Sequence, residues 1–129
     1  MINNEKINPK LKSIVLGTED FNKHNKDSCL RGIPLSKLKD SLQLFSNNEI
    51  DVLHFLGNSK IAFRLHKLQI EPEIKSILME KYPDEQERIL LNPEEWKPNT
   101  FSRLELITKT KQLVGVLEDA IDKAKTSEI

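Results

Sequence analysis

The chain has a single cysteine, Cys29. No internal disulfide can staple it, and a reducing compartment is the default setting. Glycine is scarce, with four residues in 129, and β-branched residues never alternate over a useful length, which argues against a sheet. There is no excess of either charge: twenty Lys and Arg balance twenty Asp and Glu. A dedicated nucleic-acid binder draws affinity from a basic surplus, so nucleic acid is a poor fit as a partner. No apolar run approaches a membrane span. The opening stretch MINNEKINPKLKSIVLGTED lacks the apolar core of a signal peptide. A cytoplasmic protein is therefore expected, with export by a signal-independent secretion system left open. The three histidines and the cysteine fall at no metal-ligand spacing, and no cofactor fingerprint is present.

What remains is a chain of a length suited to one domain. Leu and Ile are plentiful throughout, which separates it from a disordered sequence. Lys outnumbers Arg 16 to 4, and with the many Ile and Asn this suggests an AT-rich bacterial or phage source. The charges are unevenly placed. Residues 1–40 hold eight basic and five acidic groups, whereas residues 71–100 hold four and eight. Opposed ends of this kind can steer a partner or only favour solubility.

Apolar residues recur at three and four, so the fold class is all-α. Asn8-Pro9 and Gly17 bracket a short helix. Residues 18–32 are polar and aperiodic, so 1–33 is taken as a partly flexible segment and 34–129 as a single helical domain. Order resumes at Pro34, with Leu35, Leu38, Leu42 and Phe45 on one face. Ser46-x-x-Glu49 has the form of a capping box. It opens a helix from 47 to about 56 that is apolar most of the way round, with Ile50, Val52, Leu53, Phe55 and Leu56. Gly57-Asn58 is expected to break that helix. Ser59 would then cap another to about 69, with Ile61, Leu65 and Leu68 inward. Glu71-Pro72-Glu73 opens a further helix bearing Ile74, Ile77, Leu78 and Tyr82. Pro83-Asp84 starts a short one, and Trp96 and Pro98 lie in a tight corner. Ser102-x-x-Glu105 is a second capping box. It opens the longest helix, to about 125, whose stripe is Leu106, Ile107, Leu113, Val114, Leu117, Ala120, Ile121 and Ala124, with Thr110 filling the one gap. The expected architecture is a small irregular bundle of about five to six helices. The long stripe could equally form the seam of a homodimer.

Glu49, Val52, Leu53, Gly57, Ser59, Ile61 and Ala62 loosely match a capped helix, a glycine turn and an Ile-Ala helix. Over about twenty residues this resembles the LuxR-type helix-turn-helix family, which would imply a DNA-binding regulator. The chain departs from the pattern beyond it. Its Gly-to-Ile-Ala spacing is short, and the helix in the reading position would present Glu71 and Glu73 to phosphates.

A different face of the same stretch is more informative. Lys60, Arg64 and Lys67 lie at i, i+4 and i+7, within one arc. Phe63 is expected on the far flank of that row, away from the core. A helix start at Ser59 would add free backbone N–H groups, which bind anions. Trp96 is expected to close the core or to anchor an interface. The candidate binding residues are thus Ser59, Lys60, Phe63, Arg64, Lys67 and Trp96.

For chemistry, Cys29 and His24 lie close in sequence with Asp20 and Asp27 nearby, but nothing there holds a base against a thiol. His54 is expected as a structural histidine and His66 as an exposed one. Glu94-Glu95 and the PDEQE run are taken as helix starts. No catalytic constellation emerges. The leading reading is a non-catalytic binding module that docks another macromolecule, a protein in the first place. The alternatives are an anionic-lipid or phosphoinositide module of a secreted effector and the helix-turn-helix regulator.

Overall fold

Most helix boundaries among the described residues have a local cause. The computed structural model describes residues 29–128. The short helix expected around Asn8 to Gly17, and the His24 neighbourhood, lie outside the described residues. Gly32 has φ +76°, a left-handed conformation suited to glycine, and Pro34 in the first turn starts α1 (Ile33–Ser46). At the other end Asn48 has φ +64°. Its N–H donates to the Phe45 carbonyl at 3.0 Å and that of Glu49 to the Leu44 carbonyl at 2.7 Å. This is a Schellman closure with asparagine in the left-handed position. The expected capping box at Ser46 and Glu49 is therefore replaced: both residues belong to the end of α1. The next helix is capped instead by Asp51, whose carboxylate accepts from the His54 N–H at 2.8 Å.

That next helix, α2, spans Val52–Lys81 without a break at Gly57-Asn58. Glycine in a helix interior costs only about 1 kcal/mol, and packing outweighs it here. Asn58 Nδ2 donates to Ser41 Oγ of α1 at 2.9 Å, and the Ser59 hydroxyl donates back to the Phe55 carbonyl at 2.9 Å. The glycine turn of the helix-turn-helix resemblance is thus not formed. The break expected at Pro72 does occur, as a kink. Ile70 has φ −135° and ψ 39°, because a proline two residues on lacks an N–H and crowds the carbonyl one turn before it.

Tyr82 closes α2, and the Arg88 guanidinium donates to the Tyr82 and Pro83 carbonyls at 2.9 and 2.8 Å. A short α3 (Glu85–Leu90) and a 3-10 turn (Pro93–Glu95) follow, capped by Asp84 and Asn92. Trp96 is buried, with Nε1 donating to the Leu90 carbonyl at 2.9 Å and Phe101 edge-on at 6.2 Å. It is a core residue rather than an exposed anchor. The second capping box forms as expected: Ser102 N–H donates to Glu105 Oε1 at 2.9 Å and Glu105 N–H to Ser102 Oγ at 3.1 Å. It starts α4 (Arg103–Glu128).

The described residues thus form four α-helices and one 3-10 turn, and no strand. The fold is all-α, but the count of five to six is not met, because the two helices expected either side of Gly57, and the one expected after Pro72, are a single kinked helix. Helices α1, α2 and α4 pack against one another around Leu38, Phe55, Ile70, Ile74, Leu113 and Leu117. The Phe45 and Phe55 rings stack at 4.5 Å. The Arg103 guanidinium lies 4.5 Å from the Phe45 centroid and donates to the Phe45 carbonyl, so the start of α4 caps the end of α1. Lys39–Glu118 and Lys81–Asp119, at 2.7 and 2.8 Å, tie α1 and α2 to α4.

The rotation of α2 differs from expectation. Its inner face is Ser59, Ala62, Phe63, His66 and Ile70. Ile61 and Leu65 are half-buried, and Leu68, expected inward, is 59% exposed. Leu53, expected within an all-round apolar helix, is also exposed. Two polar residues, Ser59 and His66, occupy core positions, so a search for apolar periodicity alone finds the wrong arc.

Most of the α4 stripe is spent inside the chain: Leu113, Leu117 and Ala120 are fully buried, whereas Ile107 and Val114 are half-buried and Val116, outside the expected stripe, is fully buried instead. Leu117→Ala should therefore cost about 2–5 kcal/mol. Urea denaturation checks this, and a loss under about 0.5 kcal/mol would place the stripe in solvent.

Candidate functional site

The i, i+4, i+7 spacing brings Lys60, Arg64 and Lys67 onto one arc of α2, facing the 3-10 turn. Arg64 meets Glu94 there through a two-pronged contact, Nε to Oε2 at 2.6 Å and Nη2 to Oε1 at 2.8 Å. The hydrogen bonds from Arg64 hold the Glu94 carboxyl below its ordinary range, and Lys60 and Lys67 push in the same direction. Glu94 was expected only as a helix start; it begins the 3-10 turn and also serves this row. Nothing in the sequence signals the pairing, since the two residues are thirty positions apart.

The other candidate residues are placed differently. Ser59 is buried mid-helix with its hydroxyl bonded within α2. No helix starts there, so the expected cluster of free N–H groups is absent. Phe63 is 5% exposed and belongs to the core, not to an outlying flank. It nevertheless reaches the floor of a groove of about 380 Å³ between the second half of α2 and α3. Ile74, Leu78 and Leu91 continue that floor. Met79 and Ile89 form its lips, 61% and 52% exposed. Lys67, Lys75 and Arg88 stand around it, with Glu71 and Glu85. Lys67 Nζ lies 6.0 Å from the Phe63 ring centroid, so the basic row and the groove meet at these two residues. Sequence reasoning missed the groove because Met79 and Ile89 do not share a helix. Only the turn at Pro83 sets them side by side.

Among the described residues the cysteine and one histidine come together. Cys29 Sγ is 2.9 Å from His66 Nδ1, and both are buried. His54 is exposed instead. The expected assignments of the two histidines are therefore reversed, because α2 is rotated. Burial, aided by Glu73, pushes the Cys29 thiol up to about 11. Burial also lowers His66 to about 4, and its Nε2 has no hydrogen-bond partner. Both shifts oppose a thiolate–imidazolium pair, the form a nucleophile needs. The contact is a neutral hydrogen bond of the core, and Cys29 is part of the core cluster.

Among the described residues no three His, Cys, Asp or Glu side chains gather as a metal site, and no helix is long and apolar enough to cross a membrane. In comparisons with known proteins, no family model, curated protein or solved structure matches the chain.

The buried pair sets a pH dependence. Between pH 6.5 and about 4 the unfolded His66 takes up a proton that the folded one does not, so stability falls as pH falls through that window. The loss should reach about 3 kcal/mol, at about 1.4 kcal/mol per unit. For Cys29 the folded thiol keeps its proton longer, so stability falls as pH rises from 9 toward about 11. Urea denaturation followed against pH checks both. The slope between pH 6.5 and 5 lies above the carboxylate range and belongs to His66, and a flat profile there would place that ring in water.

Proposed function

We propose that the domain is a non-catalytic binding module that takes up an acidic amphipathic helix of a partner protein in the α2–α3 groove. One observation carries this: an apolar floor whose two lips, Met79 and Ile89, are left exposed beside a row of cations. Methionine at a lip adapts its shape to different side chains, and a groove of this form accepts helix side chains at i, i+3 or i+4, and i+7. Charge selects the partner's sign. Lys75 on the rim is paired with Glu71 at 3.6 Å and Glu85 stands near Arg88, so the sign is set by Lys67 and by Lys60 and Arg64, which extend the basic arc beyond the groove. An acidic helix is favoured over a basic one, through association rate as much as affinity.

The membrane reading has less to stand on. Phe63 is seated in the groove floor and cannot insert into lipid without leaving the core. Ser59 offers no helix end to a headgroup. The DNA reading lacks its turn, and Glu71 sits on the groove rim. A homodimer through the α4 stripe would have to use side chains already buried within one chain.

The test is a titration of methyl-labelled protein with a synthetic acidic amphipathic helix, its basic analogue and anionic phosphatidylserine vesicles. The acidic helix should shift the methyl resonances of Leu78, Met79 and Ile89. Met79→Glu should weaken that binding at least about tenfold, or 1.4 kcal/mol, while stability stays within about 0.5 kcal/mol because the side chain is exposed. Equal binding of the basic analogue, or binding to vesicles alone, would overturn the reading.

A further inference from the structure

Three cations face one carboxylate across the gap between α2 and the 3-10 turn, and that carboxylate comes from the chain itself. Arg64 is 61% exposed at its side chain and Glu94 27%. Lys60 and Lys67 make no ion pair of their own among the described residues. The row is therefore underfilled: it has the geometry to hold more negative charge than Glu94 brings.

We propose that Glu94 is an internal placeholder, occupying on Arg64 the position that a carboxylate of the docked partner helix takes when it binds. This rests on the docking reading above and names the contact that sets its specificity. The guanidinium fork that grips Glu94 would grip an Asp or Glu side chain of a partner with the same two parallel hydrogen bonds. The exchange trades one carboxylate for another, so charge is conserved at the fork. The two hydrogen bonds lost to Glu94 are regained with the partner's carboxylate, so the exchange is close to neutral at the fork. The backbone need not move either. Asn92 accepts from the Glu94 N–H at 3.1 Å and Trp96 anchors the far side of the turn, so only the Glu94 side chain has to swing away. Asn92 also lines the groove, as does Lys67. A helix seated on the apolar floor therefore passes close to the fork. The released Glu94 remains near Lys60, which has no other carboxylate to satisfy.

The placeholder makes an unusual demand: removing an acidic residue from the protein should tighten binding of an acidic ligand, and should do so only through Arg64. The measurement is fluorescence anisotropy with the labelled acidic amphipathic helix, on the wild type, Glu94→Gln, Arg64→Gln and the double variant. Glu94→Gln should bind up to about fivefold more tightly. Arg64→Gln should bind more weakly, and on that background the Glu94 change should lose its effect. In the wild type, saturating peptide should shift the Arg64 Nε–Hε resonance and carry the Glu94 side-chain carbon toward its free value. That second readout needs no variant to fold. Peptide binding that Met79→Glu abolishes but Glu94→Gln leaves unchanged or weakened would overturn the placeholder and leave the groove standing. Failure of the wild type and Glu94→Gln alike to bind the peptide would overturn both. A Glu94→Gln gain confined to anionic vesicles would overturn the choice of a protein partner.

Discussion

The rotation of α2 about its own axis decides where nearly everything else in this molecule lies. It packs against both other long helices, so the residues it turns inward define the core and the residues it turns outward define the candidate site. Two polar contacts to neighbouring elements hold that rotation. Asn58 Nδ2 donates to Ser41 Oγ of α1 at 2.9 Å, and His66 Nδ1 lies 2.9 Å from Cys29 Sγ. Turning α2 to bury Leu68 instead would carry both from these partners, and an unsatisfied buried polar group costs about 1–3 kcal/mol. With Ser59 and His66 inward, Phe63 falls to the groove floor and Lys60, Arg64 and Lys67 face the 3-10 turn.

Legibility in the sequence follows from the same physics. Most of the α4 stripe and its capping box were plain because a long apolar series and a local Ser–Glu exchange both act within one helix. The proline kink was plain for a similar reason: the loss of one N–H is a local fact. The failures involve competition between local and distant contacts. Gly57-Asn58 has the composition of a turn, but the Asn58–Ser41 bond and the burial of Ser59 hold the chain helical. Ser46 and Glu49 have the form of a cap, but Asn48 adopts a left-handed conformation and closes α1. Of the candidate site, the three cations were legible from spacing alone. Glu94 and the groove were not, since each depends on the path of the chain between α2 and α4.

That path is held by side chains reaching for backbone carbonyls. Arg88 covers the end of α2, Trp96 reaches Leu90, and Arg103 covers the end of α1. A helix end leaves carbonyls without intrahelical partners, and long donors from later in the chain satisfy them here. Each such bond also sets an angle. The corner from Pro83 to Phe101 is short and mostly irregular, yet it presents Ile89 to Met79 and Glu94 to Arg64 because these donors fix it at both sides.

Core and candidate surface are accordingly built from different kinds of interaction. The core relies on close packing and on hydrogen bonds between buried groups, where one lost contact is expensive. The surface relies on an exposed ion pair and two exposed apolar side chains, none of which the fold needs. An exposed Met or Ile gains little for stability where it stands, and the Arg64–Glu94 pair lies at the surface, outside the core cluster. Residues of that sort can change or exchange partners without disturbing the helices beneath them. A packed three-helix frame under a weakly committed surface suits the proposed docking role, since the free energy of the proposed exchange of Glu94 for a partner's carboxylate would be set at the fork and not by the stability of the domain.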